Sequence, residues 1–406
     1  MALNTTLSGI NAAQSDLSVI ANNIANANTT GFKGSRAEFA DLFAVTGLNL
    51  SSTEVGGGTH LQEVAQTFSQ GDINTTGQSL DLAISGNGFF VVNNGSGVSY
   101  TRAGDFQKSP DGNNVVTPGG AKLQVYPPNG AGGFDTSTLG NLQLNSAEGN
   151  AKATGLISVS SNLPSSSAAP TAAFSPGDST TFNDATPVTV YDSQGGAHQG
   201  TVYYVKTATN SWDAHVFVDG QDAGKQSLTF DTSGNLATPA NGKLSFNPVT
   251  LGNGSSPLTL SLNVVKTTQF GTDYSAGTVS QDGYQAGILT TIGIDSKGIV
   301  TANYSNNQST QLGQIALANF GNLQGLSQIG SAGWKAGTDS GAAVMGSPGV
   351  GQFGALQSGA LEDSNTANTT EQLVNMIKAQ RNYQANAQVL STDNTLASAL
   401  FSAVSR

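Results

Sequence analysis

Three histidines, His60, His198 and His215, are the side chains whose ordinary pKa lies nearest neutrality. They stand far apart in the chain with no cysteine or acidic partner at ligand spacing, so they read as solvated strand residues, not as a metal site. Cysteine is absent, which excludes disulfides and thiolate chemistry and leaves the redox compartment undetermined. No GxSxG elbow or Walker A loop occurs, so nothing marks an activated nucleophile or a phosphate cradle. Gly349, Gly351 and Gly354 spell GxGxxG in PGVGQFG. No convincing strand precedes them and no helix opens at the third glycine, so this is a connector and not a dinucleotide loop. The acidic residues are dispersed, whereas a glycosidase needs two converging carboxylates. Trp212 and Trp334 read as core or interface aromatics ahead of ligand platforms. We therefore expect no enzyme activity, no cofactor and no metal.

The chain's pattern lies at its ends. Leu3, Ile10, Leu17 and Ile24 recur at steps of seven, with Leu7, Gln14 and Ala21 as companion row, the spacing of a helical seam. A helix is expected over residues 3–28, fraying into Asn28, Thr29 and Thr30, with Gly31 placed for a left-handed terminus. At the other end Leu373, Met376, Gln380, Tyr383, Ala387, Leu390, Asn394, Ala397 and Phe401 alternate steps of three and four. This second helix is expected from near Thr370, with Thr369 and Gln372 as a capping box.

Both helices are nearly free of charge. Before Lys33 only Asp16 ionises, and from Ser364 onward only Glu371, Lys378, Arg381, Asp393 and Arg406 do so. A helical hairpin facing water normally shows a charged back face. A back face of Asn, Gln, Ser, Thr and Ala suits contact with neighbouring protein, where small polar groups bond without the cost of buried charge. Helices that need such neighbours should be poorly ordered in the lone subunit.

Between the ends the period changes to two. Phe89–Val92, Val98–Arg102 and Lys122–Tyr126 read as strands joined by NNGSG and SPDGNN turns, and a similar set returns over 293–320. A middle block with strands at Val188–Asp192, Thr201–Lys206, Trp212–Val218, Ser227–Phe230 and Leu258–Val265 separates them, suggesting one domain inserted into another. It follows SNLPSSSAAPTAAFSPGDS, whose composition suits a linker or loose edge, and its short strands indicate a sandwich or small barrel. Gly supplies 51 of 406 residues, and charged residues are 10% against about 25% in an average soluble protein. The net charge of −11 would repel phosphate backbones and anionic head groups, so nucleic acid and membrane surfaces are poor partners. No apolar run nears the roughly 18 residues of a membrane span, and no basic n-region with an h-region marks a cleaved signal.

With these residues in view, the sequence resembles the axial rod/hook/filament family of the bacterial flagellum, and its hook subunits in particular. ANNIANANTTGFK, GFKGSRAEFADLF, SGNGFFVV, YTRAGDF, VSQDGYQAG, LGQIALANF, GALE with SN following, and MIKAQRNYQANAQVLSTDN carry the likeness over roughly half the chain. After SN, family members commonly continue with a Val-Asp-Leu type sequence, where this chain has Thr366, Ala367 and Asn368.

The resemblance implies an α+β, mostly β subunit in which the N- and C-terminal helices pair in coiled-coil fashion, followed by a connecting region and two outward β domains, the second inserted into the first. Its parts would be a helical inner domain (1–30 and 364–406), a connecting region (31–71 and 350–363), a first β domain (72–146 and 284–349) and an inserted outer β domain (147–283). It implies a helical homopolymer that joins rod to filament and transmits torque as a bendable joint. Partners would be further copies of the chain, hook cap, distal rod and hook–filament junction proteins, and the flagellar type III export apparatus. Export would proceed without N-terminal cleavage to an extracellular flagellum, with no membrane insertion. Leu3, Leu7, Ile10, Leu17 and Ile24 would meet Leu373, Met376, Tyr383, Leu390 and Phe401 of the same or an adjacent chain. A distal rod subunit would share both terminal motifs but generally lacks so large a middle block, and a secreted β-rich adhesin would use that block to bind a surface ligand.

Overall fold

The computed structural model describes residues 2–42, 56–130, 132–144 and 150–404. The described chain is mostly strand, with one long helix near each end. It divides into two compact units, Met1–Ser146 with Ile292–Ala302 and Thr310–Arg406, and Ala147–Thr291 with Asn303–Ser309. The expected domain boundary at 146/147 falls outside the described residues.

Helix α1 spans Ala2–Ala25, about 36 Å at 1.5 Å per residue. It stops short of the expected Asn28 where the ladder tightens: Asn26 N still donates to Asn22 O at 3.1 Å, but Ala27 N donates to Ile24 O at 3.2 Å and Thr29 N to Asn26 O at 3.0 Å, three residues back instead of four. The chain then descends in tight turns to Gly31, whose φ of 66° is left-handed as expected. Helix α2 spans Thr369–Val404. Its cap is Asn368, whose Oδ1 accepts from Glu371 N at 3.4 Å, so the expected Thr369/Gln372 box is displaced by one residue. Glu371 in the first turn complements the positive end of the helix dipole.

The rest of the first unit is β. Ser35–Asp41 pairs antiparallel with Thr59–Gln66, a ribbon that periodicity did not mark. Its exposed Phe39, Leu61 and Val64 disrupt clean alternation. In the main sheet the order runs Lys122–Tyr126, Phe89–Asn93, Val98–Thr101, Gly333–Lys335, Ser327–Gly330. Phe89–Val92 is apolar throughout because both faces of the strand are covered. On one side Phe89 packs edge-on to Trp334 with centroids 5.5 Å apart, while Phe90 meets Phe106 on the other at 5.2 Å. Two short ladders, Leu82–Ser85 with Ala355–Ser358 and Ile73–Thr75 with Ala360–Glu362, bring the segment before α2 alongside the segment that follows the ribbon.

In the second unit, Asp184–Tyr191, Ala197–Ala208, Ser211–Val218, Gln221–Phe230 and Leu236–Thr238 form a sequential antiparallel sheet. A second sheet gathers around Leu156–Pro164. Val190, Val202, Tyr204, Trp212 and Val216 from the first sheet share one core with Ile157, Val159, Leu163 and Leu262 from the second. The stretch SNLPSSSAAPTAAFSPGDS is neither linker nor loose edge. Its first residues finish the strand Leu156–Pro164, and the remainder is pinned where Phe174 stacks on His215 at 4.0 Å. Three aromatics within reach of Phe174 outweigh the Ser/Pro composition that argued for freedom.

Candidate functional site

The two helices run antiparallel. Asn386 lies over Gly9 so closely that a Cβ there would stand 2.8 Å from Asn386 Oδ1, and Asp16 and Lys378 line one cleft between the helices. Besides Asn23, the buried residues of α1 and the turn after it are Thr6, Ala13, Ile20 and Ala27, a step-of-seven row of mostly small side chains that lets backbones approach. In the anticipated seam Ile10, Leu17 and Ile24 are half-buried and Leu7 is 52% exposed. Leu3 lies in the first turn, its side chain outside the described residues.

On α2, Met376 and Leu390 are half-buried, while Leu373 (50%), Tyr383 (39%) and Phe401 (79%) are exposed. Val374, Ile377, Val389, Leu396 and Leu400 are exposed as well, and Ala379 is the one buried apolar residue of α2 among those described. Within one chain the large apolar residues thus do not close on each other. The interhelix cleft measures about 410 Å³. Desolvation in it raises the Asp16 carboxyl, with Lys378 opposing the rise.

The asparagines have a defined use. Asn23 is buried and acts as a peptide surrogate: its Nδ2 donates to Ser35 O at 2.8 Å while its Oδ1 accepts from Ser35 N at 2.9 Å. Asn365 does the same across the chain, accepting from Gly34 N at 2.7 Å and donating to Thr67 O at 2.5 Å. An amide satisfies a backbone donor and acceptor together without carrying charge into the interior. Thr366 is buried and donates from Oγ1 to Asn23 O at 3.0 Å, and Asn368 caps α2. The Thr-Ala-Asn departure thus supplies its own fastening between the helices.

Beside these bonds lies a cluster that sequence reasoning missed. Glu362 is fully buried; its Oε1 accepts from Lys33 Nζ at 2.5 Å and from Gly71 N at 3.0 Å, and its Oε2 from Arg102 Nη1 at 3.0 Å. Lys33 also donates to Ser69 O at 2.7 Å, and Arg102 Nη2 to Gly86 O at 2.7 Å. Desolvation lowers the pKa of both cations, with Glu362 pulling the other way. The short ladder Ile73–Thr75 with Ala360–Glu362 positions the carboxylate, and the turns after α1 position Lys33. Lys33 closes GFK, Glu362 closes GALE and Arg102 stands third in YTRAGDF, so the available signal was charge placed inside motifs of a charge-poor chain. Their sequence separations of 260 and 329 residues hid the contact.

In the second unit His198 also departs from expectation. It is not solvated but held between Asp219 Oδ2, 2.6 Å from Nδ1, and Asp192 Oδ2, 3.1 Å from Nε2, because its strand starts beside the two turns that carry those acids. The Asp219 hydrogen bond raises the His198 pKa against the effect of burial. Burial pushes the Asp192 carboxyl up, but bonds from His198, Asn253 and the amides of Gly196 and Gln194 outweigh it and hold the pKa at about 2. No His/Cys/Asp/Glu group suited to a metal occurs among the described residues, and no described helix is long and apolar enough to cross a membrane.

Four family models of bacterial flagellar axial proteins match this chain. Residues 3–33 match the family described as Flagella basal body rod protein and 357–403 the Flagellar basal body rod FlgEFG protein C-terminal. Residues 83–162 match the Flagellar hook protein FlgE/F/G D1 domain and 162–284 the Flagellar basal body protein FlaE D2 domain. The chain is 40% identical to the flagellar hook protein FlgE of Escherichia coli K12, over 98% of this chain and 99% of that protein. It is 38% identical to that of Salmonella typhimurium LT2 over the same shares. The crystal structure of Helicobacter pylori flagellar hook protein FlgE2 matches at a TM-score of 0.48 and 15% identity, covering 71% of this chain and 100% of that one. The chain belongs to the flagellar hook protein FlgE family.

Proposed function

We propose that this chain polymerises with copies of itself into a tubular hook, its paired end helices innermost in coiled-coil contact and its second β unit inserted into the first and facing outward. The observation that carries the reading is the row of large apolar side chains that a single chain leaves in water: Leu7, Leu373, Tyr383 and Phe401, with Ile377, Val389, Leu396 and Leu400 beside them. Fully burying a Leu or Phe side chain stabilises by about 1.5–3 kcal/mol. These eight are 39–79% exposed, so covering all of them removes about as much apolar surface as burying four to five whole side chains, roughly 10 kcal/mol per subunit before association costs. Leu3, Ile10, Leu17, Ile24, Met376 and Leu390 complete the interface. Hook cap, distal rod and junction proteins are the partners at the polymer's ends, and the type III apparatus exports the chain with its N-terminus uncleaved. The second unit, rich in small polar residues, exchanges neighbour contacts for water at little net cost, as bending requires.

The test uses side chains that touch little within one chain. Leu373→Asp with Phe401→Asp should leave the melting temperatures of the dilute subunit within about 2 °C, since exposed substitutions change stability little, and should abolish tubes seen by electron microscopy. Leu17→Asp, at a half-buried position, should both abolish tubes and lower the first unit's melting temperature. Normal tubes from the double variant would refute the assignment.

A further inference from the structure

Both ring nitrogens of His198 face carboxylates, Nδ1 toward Asp219 Oδ2 at 2.6 Å and Nε2 toward Asp192 Oδ2 at 3.1 Å. Only the imidazolium carries an N–H on each side; the neutral ring carries one, and its other nitrogen turns a lone pair on the oxygen it faces. Loss of one proton therefore breaks one of the two contacts. Among the described residues the charged groups acting on the ring are these two acids, one from the turn after Asp184–Tyr191 and one from the turn after Ser211–Val218.

The two acids are not equally free to let go. The Asp192 side chain is 1% exposed and keeps three donors without His198: Asn253 Nδ2 at 2.6 Å and the amides of Gly196 at 2.7 Å and Gln194 at 2.9 Å. A lone pair set against its Oδ2 would face a buried anion in a site closed to solvent. The Asp219 side chain is 46% exposed and has one further bond among the described residues, from Gln199 N to Oδ1 at 2.9 Å, so its Oδ2 can turn to water at little cost. Its backbone need not follow, because Asp219 (φ 49°) and Gly220 (φ 79°) have the left-handed pair that a two-residue hairpin turn requires.

We propose that this clasp is a one-sided pH switch: the protonated ring ties both turns together, and the neutral ring keeps its Nε2–H on Asp192 and releases the Asp219 carboxylate to solvent. Above the midpoint the Asp192 turn stays joined to the Asn253 loop, while the turn at 219–220 loses its side-chain tie to the strand Ala197–Ala208. The Asp219 bond raises the His198 pKa, which places the midpoint on the alkaline side of the ordinary histidine value of about 6.5.

Proton–nitrogen correlation NMR of the dilute full-length subunit reads each ring nitrogen of His198 through a pH titration, with the signals assigned by their loss in His198→Gln. Above the midpoint Nε2 should keep its proton and Nδ1 should lose it. The Gln199 amide, bonded to Asp219 Oδ1, should move with the same midpoint, whereas the Gln194 and Gly196 amides on Asp192 should not. Asp219→Asn has the same shape and sits at a half-exposed position; its amide can donate to the neutral ring's Nδ1 and still accept from Gln199. That variant should lower the midpoint by about 1–3 pH units, the effect of removing one nearby opposite charge, and should abolish the Gln199 response by holding the closed geometry with a neutral ring. A proton found on Nδ1 above the midpoint, a Gln199 amide in the parent that does not follow the ring, or a midpoint unchanged by Asp219→Asn would overturn the proposal.

Discussion

Glu362→Gln isolates the electrostatic content of the buried cluster while keeping the side chain's volume. The native carboxylate is fully buried and accepts from Lys33, Arg102 and Gly71. The amide retains one acceptor oxygen but leaves two buried cations without a counter-charge. Removing one partner of a buried ion pair costs about 3–5 kcal/mol. Arg102 cannot shed its proton, whereas Lys33 can, which places the expected loss near the lower end, about 3 kcal/mol. The first unit has roughly 250 residues, a size at which 1 kcal/mol moves the melting temperature by about 2–4 °C, so calorimetry should show its transition falling by about 6–12 °C. The second unit's transition should stay in place. The pH dependence checks the cause. Burial lowers the Lys33 pKa, so the unfolded chain holds more protons between the folded value and the ordinary lysine value of about 10.4. The penalty is complete below the folded pKa and is relieved as pH rises through it, so the variant should recover stability on the alkaline side more than the parent does. A fall under about 2 °C, or one with no alkaline recovery, would refute the idea that unpaired buried charge is at issue.

Two other predictions are independent of that cluster. Gly31→Ala forces a side chain into a left-handed backbone and against the main chain of Arg102 and Ala103, so denaturation of the first unit followed through Trp334 should show a loss of at least about 2 kcal/mol. In the second unit, the raised His198 pKa gives stability that is complete below the ordinary histidine value of about 6.5 and is lost as pH rises through the folded value. The Asp192 carboxyl, held at about 2, gives stability present above the ordinary aspartate value and lost as pH falls toward 2. Calorimetric scans should therefore place that unit's maximum between about pH 4 and 6.5, and His198→Gln should flatten the alkaline side; an unchanged slope would refute the assignment.

Local chemistry explains which parts of this fold were legible from sequence. The end helices, the FFVV strand and the turn glycines show themselves in windows of a few residues, where period and steric freedom act. The helical seam showed itself only by half. Periodicity finds the large residues Leu3, Ile10, Leu17 and Ile24, while a single chain buries the row Thr6, Ala13, Ile20 and Ala27, because close approach of α1 to its neighbours favours small side chains. Composition misled at 165–179, where Ser and Pro suggested freedom and Phe174, with bonds from Lys206 to Ser165 O and from Asn183 to Ala168 O, anchors the loop. The ion cluster left only the trace of charge inside its motifs and the His198 clasp left none, since both join turns or strands whose proximity depends on the whole topology.

The position of the cluster bears on how force passes between helices and β units. Lys33 follows the end of α1 and Glu362 precedes the start of α2, so the two strands of chain leaving the helices are fastened to each other and to Arg102 at one point. A buried ion triad is a weak source of net stability, and apolar replacements of similar volume are often neutral or better. Its advantage here is geometric, because Glu362 receives three donors from three segments and only one arrangement satisfies them, whereas apolar side chains tolerate sliding. Lys33→Met with Arg102→Leu and Glu362→Leu should therefore restore the melting temperature lost by Glu362→Gln to within about 1 kcal/mol of the parent. Tubes formed from it should nevertheless be irregular, with broadened layer lines in electron micrographs. Tubes as regular as those of the parent would show that position is held elsewhere, by Asn23, Asn365 and Thr366, and that the charges contribute no geometric specificity.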